Sequence, residues 1–273
     1  MRKPLIAFFV LTLGLAFAAS AKTTIYNVPY KDGAVSLEGR LVVPEPRKAR
    51  LPLVVLYPDW MGVTAHAQDD AQRIAGWGYA VFIADPYGVG AQPRDAAEAG
   101  PKAGALKADA AMLRARAQAA LSAAKTRYEV DTARVAAIGF CFGGTMALEL
   151  ARSGAALKGA ASIHGNLKTA APGDARNIRG PVLALHGAED PFVPAEEVGM
   201  FVDEMRAAKV DWQLVQYGGA VHAFTNPGAG NDPSKGAAYH PKASARAFAA
   251  LKSFFEETLA PAKAKKSNPS KKR

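Results

Sequence analysis

Cysteine is almost absent from this chain of 273 residues: Cys141 stands alone. A single thiol excludes an intramolecular disulfide and any cysteine metal cluster. The five histidines do not supply metal chemistry either, since no two stand at the H-x-x-x-H spacing of a zinc-binding helix. No catalytic metal is expected. Long apolar runs are equally scarce: beyond residue 21 no stretch approaches the ~20 apolar residues that cross a bilayer, so stable membrane insertion is not expected. There is no internal repeat and no sign of a second domain.

Acidic residues are missing from one place in particular. The formal charge of +10 invites a nucleic-acid reading, yet residues 260–273 carry six Lys or Arg and no Asp or Glu. Without that tail and without Arg2 and Lys3, the body lies near +2, too little for an electrostatic grip on a polyanion. The tail reads as a disordered, solvated end, and no nucleic-acid partner is expected. At the other end, Arg2 and Lys3, the apolar run Leu5 to Phe17 and the Ala19-Ser20-Ala21 pattern describe a secretory signal peptide cleaved near Ala21. A periplasmic or secreted protein follows, with residues 22–259 as one α/β domain expected to be monomeric.

What is present is an alternation of short apolar runs and helix-forming segments. Tyr26 to Val43 reads as an opening pair of strands. Leu53 to Tyr57, Tyr79 to Ala84, Val135 to Ile138, Gly159 to His164, Pro181 to His186 and Trp212 to Tyr217 read as further strands. Helices are expected over Thr64 to Trp77, Lys107 to Tyr128, Thr145 to Ala151, Pro194 to Ala208 and Pro241 to Leu259, and residues 91–104 read as irregular. Strands alternating with helices give a mostly parallel sheet covered on both faces.

The organising stretch is Gly139-Phe-Cys-Phe-Gly-Gly144, a glycine-rich turn between an apolar run and a helix. In a G-x-S-x-G elbow the nucleophile sits on a strained strand-to-helix turn, and here Cys141 occupies that position. The first helix amides place a thiolate there in a positive field, and the Phe142 N–H would be one arm of an oxyanion hole. A buried, inert cysteine beside a turn is the competing reading of the hexapeptide alone. In open α/β sheets ligands bind beyond the carboxyl ends of the strands. There stand Asp59, Cys141, Asp190 and His222, and the order nucleophile, acid, histidine is that of the α/β-hydrolases. His222 would take the thiol proton and return one to the leaving group, with Asp190 fixing its tautomer. His186 reads as a packed residue, His66 lies on a helix, and His164 and His240 have no acidic partner at a telling spacing.

These pieces, together with Pro58-Asp-Trp-Met-Gly62, Ala84-Asp-Pro-Tyr87, Gly187 to Pro194 and Gly219 to Phe224, resemble the dienelactone hydrolase family of α/β-hydrolases. The resemblance implies a central sheet of about eight strands, a Cys-His-Asp triad, and hydrolysis of small esters or lactones without a cofactor. It also implies a glutamate that pairs with the resting thiol, where this chain has Asp59. The shorter acid either still meets Cys141 or holds the oxyanion loop, with the Trp60 N–H as second donor. A substrate-binding arginine soon after the histidine is replaced by Asn226, leaving Arg94 as the nominated cation. Trp60, Tyr87, Phe142 and Phe224 are expected to line the pocket. An exported cysteine hydrolase of small esters or lactones is the leading expectation; a broader esterase or thioesterase, or a non-catalytic binding protein that keeps the fold, are the alternatives.

Overall fold

The computed structural model describes residues 22–47 and 49–261. The expected signal peptide and all but the first residues of the basic tail lie outside these. Thr23–Asp32 (β1) and Val35–Pro44 (β2) pair antiparallel along their whole length around a turn at Gly33. Then come Leu51–Tyr57 (β3), Ala80–Ile83 (β4), Val130–Phe140 (β5), Gly159–Ile163 (β6), Val182–Gly187 (β7) and Trp212–Tyr217 (β8). They form one eight-stranded sheet in the order β1-β2-β4-β3-β5-β6-β7-β8. β2 is antiparallel to β4, and every later neighbour pair is parallel. This is the α/β-hydrolase fold.

The helices are Ala65–Ala75 (α1), Ala96–Ala108 (α2), Ala110–Lys125 (α3), Phe142–Arg152 (α4), Ala195–Ala208 (α5) and Pro241–Thr258 (α6). They cover both sides because the central strands are apolar on both. Along β3, Val54 and Leu56 face α1 and α6, whereas Leu53, Val55 and Tyr57 face α3 and α4. Each such side chain, fully buried, is worth about 1.5–3 kcal/mol. On the first side Ile74 of α1 shares one core with Phe248, Leu251 and Phe255 of α6. On the second, Leu113, Ala117 and Leu121 of α3 meet Met146 and Leu150 of α4.

Two expectations need correction. Residues 91–104 are not all irregular, because α2 begins at Ala96. Asp95 caps it, accepting the Glu98 N–H at 3.0 Å, and Ala99, Ala103 and Leu106 are buried at helical spacing. The glycines and Pro101 hide that spacing in the sequence, and Pro101 removes one backbone hydrogen bond without ending the helix. The helix expected over Lys107 to Tyr128 is split at Asp109, which ends α2 and caps α3 by accepting the Met112 N–H at 2.9 Å.

Charge is buried at the far end of α4. Arg152 is fully buried; its guanidinium donates to Glu204 at 2.8 and 2.7 Å, to Glu149 at 3.0 Å and to the Leu167 carbonyl at 2.9 Å. Glu149 also accepts from Arg114 at 2.8 Å. The knot joins α3, α4 and α5 and pairs each of its buried carboxylates with a guanidinium, as buried ions require.

Candidate active site

Four chain segments converge beyond the carboxyl ends of β3, β5, β7 and β8. The most constrained is the turn from β5 into α4. Cys141 has φ +53 and ψ −120, in the left-handed half of backbone space that non-glycine residues avoid and that costs about 1–3 kcal/mol. The turn is closed by close backbone approach: a Cβ on Gly139 would strike the Gly143 carbonyl, and one on Gly143 would strike the Tyr57 carbonyl. The small residues flanking Cys141 are therefore required by the geometry.

Strain of this kind presents the thiol to a histidine. His222 Nε2 lies 3.0 Å from Cys141 Sγ, and His222 Nδ1 lies 2.8 Å from Asp190 Oδ2. Asp190 is buried, and its other oxygen accepts the Phe192 N–H at 2.9 Å, which fixes the carboxylate plane. The His222 backbone is held by the strand-like segment opposite: its N–H donates to the Gly236 carbonyl at 3.1 Å and its carbonyl accepts from Ala238 at 3.0 Å. Burial works against an imidazolium here, but the hydrogen bonds and charges of Asp190 and Cys141 outweigh it and hold His222 well above its ordinary value. A ring so placed can take a proton from Sγ and hold it.

The amides are divided between the fold and the site. The Cys141 N–H is shared by the Ile163 carbonyl at 3.0 Å and His164 Nδ1 at 3.2 Å, so it is directed into the sheet. The next amide, Phe142, is the first of α4 and has no acceptor within the helix. On the opposite loop, Asp59 Oδ1 accepts the Met61 N–H at 2.8 Å, and the Tyr87 hydroxyl donates to the Trp60 carbonyl at 2.7 Å. Asp59 thus takes the loop-holding alternative: among the described residues the thiol's hydrogen-bond partner is His222, not Asp59. Burial raises the Asp59 carboxyl, with the Met61 N–H opposing. Burial, reinforced by Asp59 and Cys141, keeps the Tyr87 hydroxyl protonated.

The nominated pocket residues divide. Trp60 is partly exposed, and Tyr87 stacks on Phe142 at a centroid distance of 6.2 Å and an angle of 8°. Phe224 is not a pocket residue: it is fully buried and packs against His164 and Tyr217. Arg94 is exposed and paired with Glu98, one turn along its own segment, so its charge is met by a carboxylate of the chain itself. Asn226 uses its side-chain oxygen to accept the Gly228 N–H at 2.7 Å and borders a cleft beside α1.

Two residues escape a reading by sequence. His164, at φ +42, accepts the Cys141 amide with Nδ1, so its Nε2–H donates to Thr225 Oγ1 at 2.8 Å. Burial holds it well below its ordinary value, neutral, with its ring 5.4 Å from that of His222. Phe192, largely exposed, sets its ring nearly perpendicular to His222 at 5.4 Å. No acidic partner marks His164 in sequence; only its position one residue past an apolar strand could have done so. His186 is buried, as expected, and His240 caps α6 by accepting the Ala243 N–H at 3.1 Å.

With this geometry in place, comparison with known proteins is informative. Residues 37–259 match the family model of the dienelactone hydrolase family. A protein of Synechocystis sp., named as a candidate carboxymethylenebutenolidase, is 27% identical over 253 residues, covering 87% of this chain and 98% of the relative. A dienelactone hydrolase-like promiscuous phosphotriesterase of solved structure, from metagenomic libraries, is 42% identical, with a TM-score of 0.82 over 87% of this chain and 99% of that one. A candidate dienelactone hydrolase of Klebsiella pneumoniae subsp. pneumoniae shares the fold at 22% identity, with a TM-score of 0.75 over 86% of this chain and 99% of that one.

Proposed function

The chain belongs to the dienelactone hydrolase family, and from that premise we propose that it is an exported cysteine hydrolase of small carboxylic esters or lactones, with Cys141, His222 and Asp190 as its catalytic residues. Family membership makes it a hydrolase of esters or lactones with a small-molecule substrate, and leaves the nucleophile, the substrate range and the compartment as the finer proposal. The observation that carries it is the line Sγ to Nε2 at 3.0 Å and Nδ1 to carboxylate at 2.8 Å, built on an elbow held at φ +53.

In the first step Nε2 takes the thiol proton as Sγ attacks the carbonyl carbon. The carbonyl oxygen becomes an oxyanion facing the Phe142 and Trp60 amides. Collapse breaks the carbon–oxygen bond to the leaving alkoxide, which receives the proton from His222, and an S-acyl cysteine remains. Water then loses a proton to Nε2 and attacks the thioester, and the acid departs as the thiol reforms. Asp190 holds the ring in the tautomer these transfers need and stabilises the imidazolium.

The direct test is intact-protein mass after mixing with p-nitrophenyl acetate and a panel of lactones. An acyl adduct on the wild type, absent in Cys141→Ala together with turnover, is the expected result; equal turnover by both proteins refutes the assignment. A second reading is favoured by the 42% identical relative, a promiscuous phosphotriesterase: the same thiol would displace an aryloxide at phosphorus, and release of p-nitrophenol from diethyl p-nitrophenyl phosphate reads it. Export rests on Arg2, Lys3, the apolar run and the Ala-x-Ala pattern. Cell fractionation and the mass of the mature N-terminus test it, and a size-exclusion profile tests the expected monomer.

A further inference from the structure

Beside the triad, between α1 and the segment continuing from His222, lies a cleft of about 330 Å³. His66, Asp69, Asp70 and Arg73 wall it on one side, Thr225 and Asn226 on the other. Its volume suits one arm of a small ester. Thr225 and Asn226 follow His222 by three and four residues, so one wall of the cleft is the segment that carries the site's histidine.

The cleft's charge is unusual. Asp70 is 5% exposed, yet among the described residues its carboxylate accepts no hydrogen bond. The nearest candidate, His66 Nε2, stands 3.5 Å away outside hydrogen-bonding geometry, and burial lowers the His66 pKa so that the ring is neutral. Burial pushes the Asp70 carboxyl up to about 7, with Arg73 opposing and Asp59 and Asp69 reinforcing. The Arg73 guanidinium lies 4.1 Å from the centre of the Phe248 ring, held on an aromatic face. A buried carboxylate without a partner is costly, and among the described residues no donor holds this one. A cation entering the cleft would complete it.

We propose that this cleft receives an ammonium-bearing arm of the ester substrate, with Asp70 as its counter-ion and Asp69 at the rim. The proposal rests on the hydrolase reading above and names the substrate class within it. Asn226, uncharged, adds no repulsion, and Arg73 is the one cation the arm must approach. The ammonium group gains by meeting a carboxylate shielded from bulk water, where Coulombic attraction is stronger than at an open surface.

The test compares shape-matched esters differing only in charge, a trimethylammonium ester against its tert-butyl isostere, with the charged group on the alcohol side in one series and on the acyl side in another. In at least one series the wild type should favour the cation by about tenfold in kcat/KM. That ratio should fall towards one in Asp70→Asn, a nearly isosteric change, and rise in Arg73→Gln. Equal rates in both series, or a preference that survives Asp70→Asn, overturns the proposal. If no ester is turned over, the hydrolytic reading fails separately, and calorimetry with choline decides the cleft. About tenfold tighter binding to Cys141→Ala than to the Cys141→Ala, Asp70→Asn double variant supports it; equal binding overturns it.

Discussion

At the N-terminal end of α4 stands Cys141, held at φ +53 beside a first amide that has no acceptor within the helix. At the C-terminal end stands Arg152, fully buried, with Glu149, Glu204 and the Leu167 carbonyl taking its donors. The same eleven-residue helix thus ends once in strain and an unspent donor, and once in paired and hydrogen-bonded charge. The difference separates two uses of polar groups. Groups that hold the fold find their partners within the chain, while groups meant for a visitor are kept in place by backbone packing and left short of one. Asp70 is a third case, buried as Arg152 is and left short as the elbow is.

The largest effect should come from breaking the elbow's chemistry. His222→Ala and Asp190→Ala should each lower kcat/KM on a neutral ester by roughly 10³-fold or more, and the double variant should be little worse than the worse single one, because residues acting as a unit are non-additive. Losses that multiply would show two independent roles.

Breaking the other end should leave chemistry alone and cost stability. Arg152→Leu strands Glu204 without its cation and leaves Glu149 to Arg114 alone, and urea unfolding should show a loss of about 3–5 kcal/mol, while the variant that remains folded keeps its rate per molecule. A change below 1 kcal/mol would mean that the knot is worth little more than an apolar replacement.

The intermediate case is read by pH. The folded chain holds a proton on Asp70 up to about pH 7, which an unfolded aspartate releases near 4. Between those values the native state binds the extra proton, so Asp70 lowers stability progressively as pH rises and its full penalty is present above 7. Asp70→Asn should therefore raise the melting temperature more at pH 8 than at pH 5; an equal shift at both would deny the burial effect.

A smaller gain is expected from relieving strain. Cys141→Gly removes the side chain that objects to φ +53 and should stabilise the fold by about 1 kcal/mol while abolishing turnover. The smallest effect belongs to Arg94→Ala, which removes an exposed pair with Glu98; neither kcat/KM on a carboxylate-bearing lactone nor the melting temperature should move measurably.

Much of this could be seen in the chain before its folding was known. The parallel strands announce themselves as short, unbroken apolar runs because both faces are covered, and the triad could be placed because each member follows such a run. What escaped is either weakly patterned along the chain or depends on partners far away in sequence. Helix α2 buries only Ala99, Ala103 and Leu106 among glycines and a proline, a pattern too small-sided to read as an amphipathic face. Phe224 stands two residues after His222 in sequence but is buried in the core, and Arg94 reads as a free cation until Glu98 is seen to pair with it. The part of His164 is set by the Cys141 amide and Thr225, 23 and 61 residues away, and no local pattern encodes such a link.

The peptide unit joining Trp60 to Met61 is gripped at both ends, its oxygen by the Tyr87 hydroxyl and its N–H by the Asp59 carboxylate. A loop clamped in this way has given up its freedom during folding and has little left to surrender at each turnover. The entropy of activation should then be small, and on heating the enzyme should keep working until the whole domain gives way, with inactivation and the calorimetric melting transition coinciding.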